Sequence, residues 1–287
     1  MRSPNPKALA IAFACVLTLS GMPAFAQTKV DEAWEILRVN LNEKDSAKRA
    51  LAVQVLGLLP GDPQAQELSH KAVEDEKPEV RAAAVTALGQ LHSKSSISWL
   101  HALLSDDEPS VALAAASALI TFKDPAAYDV YYEFLVGERK SSKGVIAEQM
   151  KTLKDKKKLA EIGFEQGIGF IPYAGIGVSA FKTLHTDDAS PVRAAAAKML
   201  IDDPDPETGQ ALVQATSDKS WVVRTAALDA LAKRGDPLYL DAVISAMADD
   251  NTSVRCTAAA AVIHLSSAVA AKPAKRKNTK SSAAMTR

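Results

Sequence analysis

The sequence of 287 residues is poor in the residue types that stabilise small secreted domains or build ligand pockets. It contains two cysteines, Cys15 and Cys256, and aromatic residues make up only 5% of it. Cys15 lies in an N-terminal segment that we expect to be removed, so the mature chain cannot form an intramolecular disulfide. We expect Cys256 to be a small packed side chain, because free cysteine behaves as a small apolar residue. A disulfide-stabilised fold is therefore excluded.

Motifs that carry catalysis are missing as well. None of the histidines has a second histidine four residues away, the spacing that helical metal sites use; they are His70, His92, His101, His185 and His264. The sequence contains no P-loop, no dinucleotide fingerprint and no Gly-x-Ser-x-Gly motif. We therefore predict that the protein is not an enzyme and holds no metal or other cofactor.

Residues 1–26 have the features of a secretory signal peptide. Arg2 and Lys7 supply positive charge, residues 8–19 form a short apolar run, and Ala24-Phe25-Ala26 is a small-residue cleavage site. The apolar run is too short to span a membrane comfortably. We expect cleavage after Ala26 and export of a bacterial protein to the periplasm or the medium.

The chain does contain an internal repeat. Arg193, Arg224 and Arg255 follow one another at a constant interval, and each stands after an acidic turn and a valine and before an alanine-rich run. Arg81 and Ala112 are separated by the same interval in the same setting, although alanine replaces arginine at position 112. A fixed period of this length, about 31 residues, is typical of solenoids.

Each repeat contains the signals of two helices. The alanine-rich runs predict one helix, because alanine is the best helix former and the preceding acidic side chains accept hydrogen bonds from free N–H groups of the first turn. Asp-Pro pairs predict the start of the other, with Asp as N-cap and Pro at the first helical position. These pairs are Asp62-Pro63, Asp124-Pro125, Asp205-Pro206 and Asp236-Pro237.

The pattern D-x-x-x-V-R-x-A-A-x-x-A-L resembles HEAT repeats, particularly the short HEAT-like type found in phycobilin lyases. The resemblance covers about residues 45–155 and 185–267. It implies an all-α fold, a right-handed superhelix of about six helix-pair repeats, each of about 31 residues. It implies little about chemistry, because solenoids serve many functions.

The repeat divides the mature chain into four parts. Residues 27–155 contain an amphipathic helix, expected to cap the stack, and the first repeats; residues 156–184 are a Gly-rich apolar insertion. Residues 185–267 contain the last repeats, and residues 268–287 are a basic tail that we expect to be disordered. The repeat around Lys143 is degraded, and we expect its helix to keep the stack in register.

Two apolar segments have more than one interpretation. Tyr128, Tyr131, Tyr132 and Phe134 predict an aromatic core between repeats, with a ligand-binding platform as the alternative. The uncharged segment Gln166–Phe181 is best interpreted as a buried helical hairpin. Its alternatives are a partner-binding or dimerising element, and contact with a membrane surface through Lys154–Phe181.

The charge distribution argues against nucleic acid as a partner. Residues 27–271 contain 26 basic and 34 acidic residues, so the body of the solenoid is acidic while its tail is basic. Solenoids that bind nucleic acid need a basic face for the phosphate backbone.

The sequence therefore predicts a non-catalytic exported scaffold or adaptor that binds another protein through its solenoid surface or its Gly-rich insertion. The candidate protein-binding residues are Arg81, Arg193, Arg224, Arg255, Trp221, Phe170, Tyr173 and Phe181. For the repeated Asp and Arg residues the favoured interpretation is structural, as pairs within and between repeats. Two alternative functions stay open: an accessory module that handles a cofactor–protein substrate, as the resemblance to phycobilin lyases implies, and a membrane-surface protein.

Overall fold

The computed structural model describes residues 24–136 and 189–271, and these residues form twelve α-helices and no strand. The first range contains α1 (Ala24–Leu41), α2 (Ser46–Leu56), α3 (Pro63–Ala72), α4 (Pro78–Gln90), α5 (Ile97–Leu103), α6 (Pro109–Thr121) and α7 (Ala126–Val136). The second contains α8 (Ser190–Met199), α9 (Pro206–Ala215), α10 (Trp221–Arg234), α11 (Leu240–Ser245) and α12 (Thr252–Ala271). The predicted all-α solenoid is confirmed. Because α12 reaches Ala271, the first four residues assigned to the tail are helical.

The helices begin at the predicted signals. Asp62 and Asp205 are the N-caps of α3 and α9, and each carboxylate accepts a hydrogen bond from a backbone N–H group of the first turn. Asp236 caps the 3-10 turn Pro237–Tyr239 in the same way, just before α11. A proline follows each of these aspartates, at a position where the helix needs no N–H donor.

The alanine-rich helices stack side by side in two groups. In the first group α2 packs on α4 and α4 on α6; in the second α8 packs on α10 and α10 on α12. Helices α3, α5, α9 and α11 pack beside this row, each against the alanine-rich helix that follows it in the chain. Small residues allow the close approach, since a Cβ atom at Gly89 of α4 would lie 2.8 Å from the Cβ atom of Ala118 in α6.

The two groups are joined through the ends of the described chain. The last helix, α12, packs along the first helix, α1, and also contacts α2. Ala33, Trp34 and Leu37 of α1 are buried in the common core. The amphipathic helix expected before the first repeat is therefore present as α1, but its apolar face covers the final repeat. The stack therefore continues from α12, the last helix of the second group, to α1 and α2, the first helices of the first group.

Helix α12 is the central helix of this arrangement. It is the one helix of the described ranges that is long and apolar enough to cross a membrane by length and composition alone. In the fold, however, most of it is buried inside the molecule, and its buried residues include Val254, Cys256, Ala258, Ala259, Ala260, Ala261 and Val262. Burial also raises the pKa of the Cys256 thiol to about 12. The prediction that Cys256 is a packed small side chain is confirmed.

Candidate interaction surfaces

Arginine and aspartate side chains link neighbouring repeats in a ladder. In each rung Nε and Nη2 of an arginine donate to the two carboxylate oxygens of an aspartate in the next repeat, at 2.8–3.1 Å. The rungs are Arg49–Asp75, Arg81–Asp106, Arg193–Asp218 and Arg224–Asp249. This is the planar two-bond geometry that makes arginine–carboxylate pairs strong. The structural interpretation of the repeated Asp and Arg residues is confirmed at these four rungs.

The same residues also fix the turns before the alanine-rich helices. Nη1 of Arg81 donates to the carbonyl oxygen of Asp75, at the turn before its own helix. The carboxylate of Asp75 in turn accepts from the backbone N–H of Lys77. Arg224 and Asp218 repeat this arrangement with Ser220 in place of Lys77. Each arginine–aspartate pair therefore stabilises both the packing of two neighbouring repeats and the turn before an alanine-rich helix.

The ladder lowers the pKa values of its aspartates. Hydrogen bonding from Arg49 holds the pKa of Asp75 below its ordinary value, against the opposing effect of burial. Hydrogen bonding from Arg193 does the same for the pKa of Asp218. A carboxyl with a lower pKa in the folded chain stabilises the fold above its unfolded pKa, and this contribution disappears as the pH falls through the folded pKa.

We therefore expect the free energy of unfolding to decrease as the pH drops below about 4. The variant Asp218→Asn should lose less stability over the same range, because one of the titrating groups is gone. Urea unfolding at several pH values between about 7 and 3 measures the free energy of unfolding of the wild type and of the variant. If the variant and the wild type lose equal stability on acidification, the ladder does not carry the pH dependence.

Arg255 is the exception among the ladder arginines. Its Nη1 donates to the carbonyl oxygens of Asp249 and Asp250, as in the other repeats, and its Nη2 donates to Oγ1 of Thr252. Among the described residues, however, no carboxylate lies within ion-pair distance of it. Arg255 lines an open groove of about 380 Å³ where α12 meets α1 and α2. We call this groove the seam groove.

The other candidate residues from the sequence are not brought together. Trp221 begins α10 and is half-buried against the core. Phe170, Tyr173 and Phe181 lie outside the described residues, as do the Gly-rich insertion and the segment around Lys143. The ladder arginines 81, 193 and 224 have their carboxylate-binding edges occupied by aspartates of the chain itself. The assignment of these residues to a protein-binding site stays a prediction.

The structure reveals an apolar surface on α7, which we define by Tyr128, Tyr131, Tyr132 and Leu135 and call the α7 face. The exposed fractions of Tyr128 and Tyr132 are 63% and 62%, and that of Leu135 is 85%. The expectation that these tyrosines fill a core between repeats is therefore wrong for Tyr128 and Tyr132. The side chain of Phe134 lies outside the described residues.

The repeat register shows why the α7 face is unusual. Tyr131 lies seven residues after Asp124, whose carboxylate accepts from the N–H of Ala126 at the start of α7. Counted in the same way from the caps of α3 and α9 and of the 3-10 turns before α5 and α11, this position is buried in the other described repeats, as Ser69, Leu100, Leu212 and Val243. Leu135 likewise occupies the position of Val73 and Met247, both buried. In those repeats the neighbouring helices cover these positions. Periodicity alone could not reveal the exposure, since the sequence pattern of α7 is that of a covered helix.

The opposite end of the stack has a similar exposed stripe. Val192 and Met199 of α8 are 39% and 76% exposed. The valines at the position of Val192 in the other repeats are all buried; they are Val80, Val111, Val223 and Val254. Both ends of the described stack therefore present apolar positions that are covered elsewhere in the molecule.

Comparison with known families settles the class of the chain. A family model for HEAT repeats matches residues 35–119, 66–142 and 179–263, which together make up more than half of the sequence. The chain is a HEAT-repeat protein. The search of curated proteins found no match for this HEAT-repeat protein. Within the described residues, no group of three or more His, Cys, Asp or Glu side chains could hold a metal ion.

Proposed function

We propose that this HEAT-repeat protein is an exported, non-catalytic scaffold that binds another protein through the α7 face. HEAT repeats commonly mediate protein–protein interaction, which supports a protein partner. The observation that carries the proposal is the exposure of Tyr128, Tyr132 and Leu135 on a single helix. Tyrosine is enriched in the residues that dominate the binding energy of protein interfaces.

The chemistry of the face suits a helical partner. Tyr128 and Tyr132 are four residues apart, as are Tyr131 and Leu135, so each pair lies on one side of α7. In the other described repeats, the position of Tyr131 is buried against neighbouring helices. A partner helix on the α7 face would bury these side chains in the same manner. The predicted signal peptide supports a partner in the periplasm or outside the cell.

The test compares two surface variants of the full chain. We expect affinity purification from the native host to recover a specific partner with the wild type and with Leu238→Asp, and to lose it with Tyr132→Asp. Leu238 is a matched control, because it is a large apolar residue that is 79% exposed on a different repeat. A partner that remains bound to Tyr132→Asp would contradict the proposed site.

Thermal unfolding of the same proteins tests a second explanation, in which another part of the chain itself covers the α7 face. If a partner binds the α7 face, Tyr132→Asp and Leu238→Asp should both unfold near the wild-type temperature, because exposed substitutions rarely change stability by more than about 0.5 kcal/mol. A clear loss of stability confined to Tyr132→Asp would mean that the chain itself covers the face. That result would remove α7 as the site of partner binding.

A further inference from the structure

The ladder shows what the Nε–Nη2 edge of its arginines binds. In Arg49, Arg81, Arg193 and Arg224 this edge holds an aspartate carboxylate through two hydrogen bonds. In each case the aspartate belongs to the turn before the next alanine-rich helix, 25 or 26 residues further along the chain. Four copies of one arrangement therefore define the ligand of this edge: a carboxylate presented by a turn.

At Arg255 the same edge is not filled. Nη1 donates to the carbonyl oxygens of Asp249 and Asp250 at 2.7 and 2.8 Å, and Nη2 donates to Oγ1 of Thr252 at 3.0 Å. Nε has no acceptor among the described residues, and no carboxylate of these residues forms an ion pair with this guanidinium. Arg255 lines the seam groove, which is open to solvent.

The residue that would complete the rung within the chain is Glu43. It precedes Arg49 by six residues, as Asp75 precedes Arg81, and its carbonyl oxygen accepts from Nη1 of Arg49 in the same way. Its carboxylate, however, lies 3.3 Å from Nζ of Lys48. Helix α1 packs along α12 at this junction, and both Glu43 and Arg255 line the groove without pairing.

Each of the other charged residues that line the seam groove has an ion-pair partner. Glu32 pairs with Lys29 at 2.6 Å, and Glu35 lies 3.8 Å from Nη1 of Arg38. Glu43 and Lys48 pair with each other, which leaves Arg255 as the charged residue lining the groove for which the described residues supply no counter-ion. Apolar contact is available beside it, since Ile36 and Val39 also line the groove and Val39 is 54% exposed.

We propose that the seam groove binds an aspartate or glutamate side chain of a partner protein, which completes a fifth rung on Arg255. The carboxylate binds the Nε–Nη2 edge, and an apolar residue of the same segment packs on Ile36 and Val39. A basic residue after the carboxylate, like Lys219 after Asp218, suits the nearby glutamates. This site is separate from the α7 face and does not depend on it.

The probe is a peptide that copies one of the chain's own turns. Acetylated residues 217–227, which contain Asp218 and Lys219, are titrated into the full chain labelled with ¹⁵N and with ¹³C at the valine methyl groups. The control peptide carries Asp218→Asn. We expect the first peptide to shift the Nε–Hε signal of Arg255 and the methyl signals of Val39 saturably. The control peptide should bind at least about tenfold more weakly, because it leaves the guanidinium edge without a carboxylate.

Two further titrations test the proposal, one with the variant Arg255→Lys and one with the wild type at increasing salt concentration. In Arg255→Lys the shift at Val39 should weaken strongly, since lysine cannot form the two parallel hydrogen bonds. In the wild type it should weaken as salt is added, since the contact is partly exposed. Equal binding of the two peptides, or no shift at Arg255 at millimolar peptide, would overturn the proposal. Neither result bears on the α7 face, which is tested by Tyr132→Asp.

Discussion

Arg224→Ala should lower the free energy of unfolding by about 3 kcal/mol, and Arg255→Ala by only about 1 kcal/mol. The two arginines occupy equivalent positions and make the same bonds to their own turns. Arg224 also holds the carboxylate of Asp249, and both side chains of this pair are mostly buried, at 17% and 14% exposure. Its removal leaves a buried carboxylate without its counter-ion, which is the costly part of breaking such a pair.

Thermal and urea unfolding of the two variants provide the measurement. For a domain of this size, the change at Arg224 corresponds to a decrease in Tm of roughly 6–12 °C. Asp249→Asn in the Arg224→Ala background should cost little more, because the two residues act as one unit. Equal losses for Arg224→Ala and Arg255→Ala would mean that the bonds to the turn carry the stability and the rung does not.

A second large effect is expected at the junction of the two groups. Leu37→Ala should destabilise the protein by about 3 kcal/mol, because Leu37 of α1 is fully buried and its removal leaves a cavity. The loss should appear in α12 as well as in α2, since α1 packs against both. Hydrogen exchange should therefore become faster at the amides of Thr252–Ala271, although this helix lies at the other end of the described chain.

Val39→Ala is the matched control for this prediction. Val39 lies two residues further along α1 and is 54% exposed, so its truncation should change exchange in α12 very little. If Leu37→Ala accelerates exchange in α2 and α3 while α12 keeps its protection, the contact between the first and last helices does not stabilise the final repeat.

The fold could be predicted because its signals are local. The Asp-Pro caps and the alanine-rich runs each lie within a single repeat. The regular spacing of Arg and Asp residues predicted the ladder between repeats. The contact between α1 and α12 could not be found this way. It joins Leu37 to a helix that begins at Thr252, and no feature of the repeat period indicates that the last repeat meets the first.

The surfaces were harder to predict for a related reason. Tyr131 and Leu135 have the spacing of a buried stripe, and their exposure depends on which helices lie beside α7. Arg224 is followed 25 residues later by Asp249, whereas Lys280 stands at that distance from Arg255, so the sequence does show that the last rung lacks its aspartate. It does not show that Glu43 and the first helix lie beside Arg255 instead. The repeat pattern predicts the helices of each repeat, whereas the exposure of a side chain depends on which helices pack beside it.

The packing of α1 on α12 also constrains the order of folding. Repeats within each group can form from neighbouring segments, but α1 cannot bury Trp34 and Leu37 until the segment from Thr252 onwards is present. Contacts of such sequence separation form slowly, because the intervening chain must be ordered before they contribute. During synthesis the segment that is made first must therefore wait for the segment that is made last. The protein should reach its native state only after the whole chain has been synthesised, and until then the apolar face of α1 lacks the helix that covers it.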